Sequence, residues 1–335
     1  MNSPWNLAKK FLFKLDAETA HHLTVRAVAE LASAAPHVLE RIAGVLQSPG
    51  PRTSPEVMGM RFASAVGLAA GFDKNAELVA ALPHLGFGFC EIGTVTPLPQ
   101  AGNTRPRLMR DASSQSLFNR MGFNNLGAHQ IAENLERGRK SLPQNFRVGV
   151  NVGKNKDTQG ADIARDYGRA TAPFLDLADF FVINVSSPNT PGLRALQERE
   201  SLEPIIEAVK AQTLKASRHL PVLVKLAPEL SEADLAALLE FFESQAIDGL
   251  VLTNTLAGQT AIGPGGWSGG AVRERAAEVL RLAHTLTKLP IISVGGIDSP
   301  EIARDRLRRG ASLVELYSGW IFKGPKLPSQ IAATL

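Results

Sequence analysis

A short β-branched run that ends in polar residues and leads into a helical pattern recurs eight times along this chain, at 66–72, 89–96, 147–153, 180–187, 221–227, 249–255, 290–296 and 312–318. Several of these runs are apolar throughout rather than alternating, the pattern of parallel strands buried on both faces. Between them lie amphipathic stretches at 126–140, 161–178, 202–218, 231–245 and 271–288. Ser231-Glu-Ala-Asp supplies a capping-box start for the fourth. Eight strands alternating with helices predict an α/β fold, a closed (β/α)8 or TIM barrel. An open doubly wound sheet is the alternative, and the even placement of eight units favours closure.

At 335 residues the chain is long for an average domain but suits a barrel with an appendage. With 29 glycines and 21 prolines it is rich in turns, which excludes a coiled coil or helical bundle. Cys90 is the only cysteine, so an intramolecular disulfide, a thiolate zinc site and a Cys-ligated iron–sulfur cluster are all excluded. The net charge of +4 comes without a concentrated basic stripe, so no nucleic acid is expected as a partner. The longest uncharged stretch, 249–272, is full of Gly, Thr, Asn and Gln and cannot span a membrane. The N-terminus lacks the apolar core of a signal peptide, so the expectation is a protein that stays inside the cell.

Residues 1–52 fall outside the strand–helix rhythm, which begins in the region 53–335. They read as two helices, 6–34 with internal breaks and 37–47, followed by a Pro-rich linker at 48–55. Trp5, Leu7, Phe11, Leu12 and Phe13 alternate with Lys9, Lys10 and Lys14. Such a helical pair suits a membrane interface or the cover of an apolar ligand tunnel, or it packs as a cap on the barrel bottom.

A barrel carries its chemistry at the C-terminal ends of its strands. Those ends supply Ala70, Gly71 and Lys74, then Thr94, Asn151, Asn184, Ser187 and Asn189, then Lys225, Thr253, Asn254 and Thr255. The loop between the second and third strands adds Asn119, Met121, Gly122 and Phe123. Two lysines, hydroxyls and many amides, with almost no carboxylates, suit an anionic planar ligand. They argue against glycoside hydrolysis and against a two-metal hydrolase, and no metal is expected. Taken singly, a strand-end lysine can snorkel to solvent and an asparagine can merely form a turn. Their co-location favours a site. Gly295-Gly296 and Tyr317-Ser318-Gly319 fall where barrels bind phosphate, and 265–270 reads as a flexible glycine loop beside them. Cys90 starts a strand run and reads as packing.

The motifs FKLDAETAHH, GLAAGFDKNAE, EIGTVTPLPQAGNTRPRLMR, NRMGFNN, GVNVGKNKDT, INVSSPNTPGLR, VKLAP, TNT, SGG, VGGI and LYSGWIFKGP follow one another in order. Through them the chain resembles the class 2, quinone-dependent dihydroorotate dehydrogenases, from the N-terminal helices to the last strand. The resemblance implies FMN as cofactor, dihydroorotate and orotate as ligands, and a membrane quinone as electron acceptor. It implies that FMN is held by Ala70, Gly71, Thr94, Asn151, Asn184, Lys225, Thr253, Gly269, Gly296, Tyr317 and Ser318. Lys74, Asn119, Met121, Gly122, Phe123, Asn184, Asn189, Asn254 and Thr255 would surround the pyrimidine. Ser187 would be the catalytic base, where class 1 relatives carry cysteine, with Thr190 or a water near Phe123 relaying the proton. His21 and Arg110 would meet the quinone head, against a packing histidine and a surface salt bridge as the alternatives. The resemblance further implies a monomer, peripheral on the cytoplasmic face of the inner membrane. Trp267 departs from the leucine usual in relatives, and Ala271 from a nearby proline.

The alternatives are another FMN barrel such as a tRNA dihydrouridine synthase, a non-redox barrel acting on a phosphorylated sugar, and a membrane-peripheral binding protein. The first should show a basic tail domain and a catalytic cysteine, and the sequence has neither.

Overall fold

Eight parallel strands close in chain order: β1 (Val66–Leu68), β2 (Phe89–Val95), β3 (Arg147–Val152), β4 (Phe180–Asn184), β5 (Val222–Leu226), β6 (Gly249–Leu252), β7 (Ile291–Val294) and β8 (Leu313–Leu316). Pairing of β8 with β1, Val314 opposite Val66 and Leu316 opposite Leu68, completes the ring. The barrel is therefore closed, and the open sheet is excluded. The computed structural model describes residues 4–50, 52–190 and 192–335. Its strands stop short of the apolar runs, because past the ladder the chain turns over the mouth and its polar groups bond to loops.

Period-two alternation decides what fills the interior. Phe89, Phe180, Leu223, Ile292 and Leu313 point inward near the base, joined by Phe62, which follows the hairpin of Glu56–Val57 with Met60–Arg61. The Phe62 ring meets that of Phe89 edge-on at 5.4 Å. Gly67 and Gly149 carry no side chain because a Cβ there would stand 2.3 and 2.2 Å from the rings of Phe89 and Phe180. One layer nearer the mouth, Glu91, Asn151, Lys225 and Glu315 point inward. The outward residues, Cys90 among them, pack under the helices.

The helical stretches form much as patterned, with shorter ends. They are α4 (Ala128–Arg139), α5 (Asp162–Thr171), α6 (Arg199–Thr213), α7 (Glu232–Ser244) and α8 (Arg273–Leu286), followed by α9 (Pro300–Arg308), α10 (Ser318–Lys323) and α11 (Leu327–Ala332). Ser231 caps α7 by accepting from Asp234 N at 3.1 Å.

The N-terminal region holds three helices, α1 (Pro4–Leu12), α2 (Ala17–Ala34) and α3 (Pro36–Leu46), not two. Asp16 interrupts the first stretch and caps α2 by accepting from Thr19 N at 2.9 Å, and Pro36 restarts the chain as α3. The start of this region packs beside the mouth, not the bottom. The His21 ring lies 4.8 Å from Phe72, just past β1, and Lys9 Nζ donates to Phe322 O on α10 at 3.1 Å.

A four-stranded antiparallel sheet also flanks the mouth, ordered Leu256–Thr260, Gly263–Gly269, Ser116–Asn119, Leu108–Asp111. The glycine stretch at 265–270, expected as a flexible loop, thus lies mostly in a paired strand. Its glycines answer to crowding: a Cβ on Gly265 would stand 2.5 Å from Asn119 O. Trp267 fits by lying on Gly258 and against Phe118, ring centroids 5.1 Å apart.

Glu18 fastens α2 to this region. Its carboxylate accepts from Arg107 Nη2 at 2.7 Å and Arg105 Nη2 at 3.0 Å, while Arg107 Nη1 donates to Asn103 O at 2.8 Å. Burial alone would raise the Glu18 carboxyl, but the hydrogen bonds and charge of Arg107, with His22 and Arg105, outweigh it and hold it at about 2. With the folded value below the ordinary 4.5, the stabilisation is full above about pH 4.5 and is lost as pH falls towards 2. Glu18→Gln should flatten that acid limb in urea unfolding. It should also cost ~3 kcal/mol at pH 7, because the buried Arg107 guanidinium loses its counter-charge.

Candidate active site

The upper interior layer opens into a cavity at the C-terminal ends of the strands. At its floor Lys225 is buried, so it does not snorkel to solvent. Its Nζ donates to Glu91 Oε1 at 3.1 Å, and Asn151 Nδ2 donates to the same oxygen. Asn151 Oδ1 accepts from the Thr94 hydroxyl and from Asn184 Nδ2 at 3.0 Å. Asn254 Nδ2 donates to Asn184 Oδ1 at 3.3 Å and to Ser186 Oγ at 2.9 Å. These asparagines form one network linking β2, β3, β4 and the exit of β6. They do not act as isolated turn formers.

Glu91 and Glu315 correct the expectation of a site almost free of carboxylates. Glu315 lines the cavity and Glu91 holds its lysine. Both sit within apolar runs, and the signal for them was a charged residue at the inward parity of a buried strand.

Above the floor, Lys74 Nζ donates to Gly71 O at 2.7 Å. Burial lowers its ammonium to about 8, against the opposing charge of Glu18. Asn189 Nδ2 donates to Asn119 Oδ1 at 2.7 Å, and Asn103 Nδ2 donates to Asn189 O at 3.1 Å. Ser187 is buried and its Oγ accepts from Asn189 N at 3.2 Å. Phe123 holds a positive φ of 54°, a cost the loop accepts to place its ring at the cavity. Met121, Gly122 and Thr255 line the same space. Asn189 Oδ1 and Thr255 Oγ1 are buried without a hydrogen-bond partner among the described residues.

On the β7–β8 side, Gly269, Gly295 and Gly296 all have positive φ. A Cβ on Gly269 would stand 2.4 Å from Gln115 O, so three chain segments meet there only because side chains are absent. Thr253, Ser318 and Tyr317 complete that wall, and Ser318 Oγ lies 2.8 Å from Ser268 Oγ.

All the residues expected around cofactor and pyrimidine line this cavity except Asn151, which stands behind Thr94 and Asn184. Thr190 is buried three residues beyond Ser187 and does not line it. His21 and Arg110 are elsewhere, in a second cavity between the N-terminal helices and the barrel. Trp5, Leu12, Phe13, Val28, Phe72 and Trp320 make it strongly apolar. Tyr317, Leu108 and Leu117 line both cavities. Burial, with the charges of Lys74 and His22, lowers His21 to about 3, which keeps the imidazole neutral at physiological pH. Among the described residues Arg110 makes no salt bridge. Its Nη1 donates to Leu15 O at 2.9 Å and its guanidinium lies 4.7 Å from the Phe13 ring. Among the described residues no cluster of three His, Cys, Asp or Glu side chains could hold a metal, and no helix is long and apolar enough to cross a membrane.

The family model for dihydroorotate dehydrogenase matches residues 53–335. A dihydroorotate dehydrogenase (quinone) of Thermobifida fusca is 44% identical over 96% of this chain and 88% of its own length. One of Deinococcus deserti is 45% identical over 96% of this chain and 92% of its own. The crystal structure of a dihydroorotate dehydrogenase from Eimeria tenella in complex with ferulenol superposes with a TM-score of 0.84 at 32% identity. It covers 96% of this chain and 93% of the other. With its closed barrel, its mouth cavity and these full-length likenesses, the chain belongs to the dihydroorotate dehydrogenase family.

Proposed function

We propose that this chain is a quinone-dependent dihydroorotate dehydrogenase of pyrimidine biosynthesis, oxidising (S)-dihydroorotate to orotate with FMN and passing the electrons to a membrane quinone. The observation that carries this reading is the pair of adjoining cavities. One is polar, with two lysines and a buried serine, and the other is apolar, with Tyr317 shared between them. A substrate that is an acid and an acceptor that is a lipid-soluble quinone need such different surroundings within electron-transfer reach.

The residues present fit FMN. Gly269, Gly295 and Gly296 with Ser318 suit a phosphate, which backbone can approach closely there. Ala70, Gly71, Thr94, Asn184, Thr253 and Tyr317 would flank the ring system, with Asn151 supporting from behind. When bound, FMN supplies the acceptor for the two electrons and hydrogen that leave C6 of the substrate.

Lys74 would pair with the substrate carboxylate. Asn119, Asn189, Asn254 and Thr255 would hold the ring edges, and the unpartnered Asn189 Oδ1 and Thr255 Oγ1 support this. Met121, Gly122 and Phe123 would close over the ring and exclude water. Ser187 would take the proton from C5. A hydroxyl is a poor base, so the proton would pass outward through Thr190 or a water beside Phe123. Lys225 would stabilise negative charge at the N1–C2=O edge of the flavin. Neutral His21 and Arg110 would receive the quinone head. Exposed Leu7, Phe11 and Leu23, with the lysines of α1, would rest on the cytoplasmic face of the membrane, with the protein a monomer.

Anaerobic addition of dihydroorotate to the purified protein should bleach a flavin spectrum, and a quinone should restore it. A colourless protein, or a spectrum unmoved by dihydroorotate, would contradict the reading. Ser187→Ala should keep orotate binding while stopped-flow flavin reduction falls by ~10²–10⁴-fold. Since the Lys74 ammonium is charged below about 8, orotate affinity should be flat at lower pH. It should weaken about tenfold per pH unit above that value, a slope absent in Lys74→Met.

A further inference from the structure

Three ionisable side chains meet in the upper interior layer of the barrel. Each lies two residues beyond a base-layer residue: Glu91 beyond Phe89, Lys225 beyond Leu223, Glu315 beyond Leu313. They are 0%, 5% and 1% exposed. Lys225 Nζ and Asn151 Nδ2 both donate to Glu91 Oε1. Glu91 Oε2 and both Glu315 oxygens have no hydrogen-bond partner among the described residues, although the two side chains point into the same interior layer.

Two buried carboxylates in one interior layer repel, and each unpartnered buried oxygen forfeits its hydration. A single proton resolves both costs: an O–H on one carboxyl donates to the other. The remaining groups offer no substitute. On β7 Ser293 turns outward towards Arg306, β1 presents only Val66, Gly67 and Leu68, and the Tyr317 hydroxyl donates to Gly71 O at 3.3 Å. Lys74 bonds to Gly71 O at the mouth.

We propose that Glu91 and Glu315 share one proton and so form, with Lys225, a neutral triad of one ammonium, one carboxylate and one carboxylic acid. Glu91 and Glu315 are then positioning residues. They aim the Lys225 ammonium at the cavity and cancel its charge when the flavin is oxidised. Burial pushes the Glu315 carboxyl well above its ordinary range, with the Glu91 charge adding to the effect and Lys225 opposing it. The proton sharing rests on the burial of the three groups in one layer and on their unpartnered oxygens, and its consequence for the flavin rests on the function proposed above.

Infrared spectroscopy on the purified protein tests the proton directly. The wild type should show a carboxylic-acid C=O band at neutral pH that shifts in deuterated water and is lost in Glu315→Gln. In the flavin-loaded protein, Glu315→Gln should leave the flavin midpoint potential at pH 7 unchanged, since glutamine is neutral like the acid it replaces. Glu91→Gln, which removes the one negative charge beside Lys225, should shift the potential positive. No acid band in the wild type, or a positive shift in Glu315→Gln, would overturn the proposal. Both infrared arms can be read without flavin, so a failure of the FMN reading would be told apart from a failure of the triad. If Glu91→Gln does not fold, the wild type and Glu315→Gln still decide.

Discussion

Closing eight parallel strands leaves a narrow interior into which every second side chain of each strand must point, and most of this molecule follows from how those positions are filled. At the base they hold phenyl rings so large that Gly67 and Gly149 are needed opposite them. One step up they hold Glu91, Asn151, Lys225 and Glu315, polar groups buried at the floor of the mouth cavity. Such groups must satisfy one another, and the bonds from Lys225 and Asn151 to Glu91 and from Asn184 and Thr94 to Asn151 show them doing so. The apolar plug therefore serves the site, because it fixes the backbone from which the polar layer is hung.

The second consequence is electrostatic. Lys225 is compensated within the barrel, whereas Lys74 at the mouth is bonded only to a backbone carbonyl, where under the function we propose it meets the substrate carboxylate. Glu18, on an N-terminal helix, contributes a favourable field at Lys74 while being held by Arg107. The helices that wall the apolar cavity thus also bear on the polar one, and Arg107 reaches the loop whose Asn103 holds Asn189. The two cavities are joined by Tyr317 and by this chain of charges and hydrogen bonds.

The strands were legible because buried parallel strands are apolar throughout, and eight of them evenly spaced leave few closures. The motifs then located nearly every residue that lines the mouth cavity. What stayed hidden was what apolar runs and glycines conceal. Glu91 and Glu315 are hidden because the chemistry of a barrel strand is expected at its C-terminal end, not within its apolar run. The stretch at 263–269 reads as a loop by its glycines, yet those glycines let a strand lie against Asn119 and Phe118. Helix counting failed at Asp16, where a cap and a break look alike. The separation of His21 and Arg110 into a cavity of their own depends on tertiary packing that no local pattern encodes.

Under the function we propose, the polar layer and the loops above it form one receptor for a flat anionic ring, with Lys74 taking its carboxylate. A crystal structure of the flavin-loaded protein with orotate tests it most directly. Orotate should lie in the mouth cavity, its carboxylate on Lys74 Nζ and Ser187 Oγ beside C5. Orotate bound away from Lys74, or a Ser187 side chain turned out of the cavity, would contradict it.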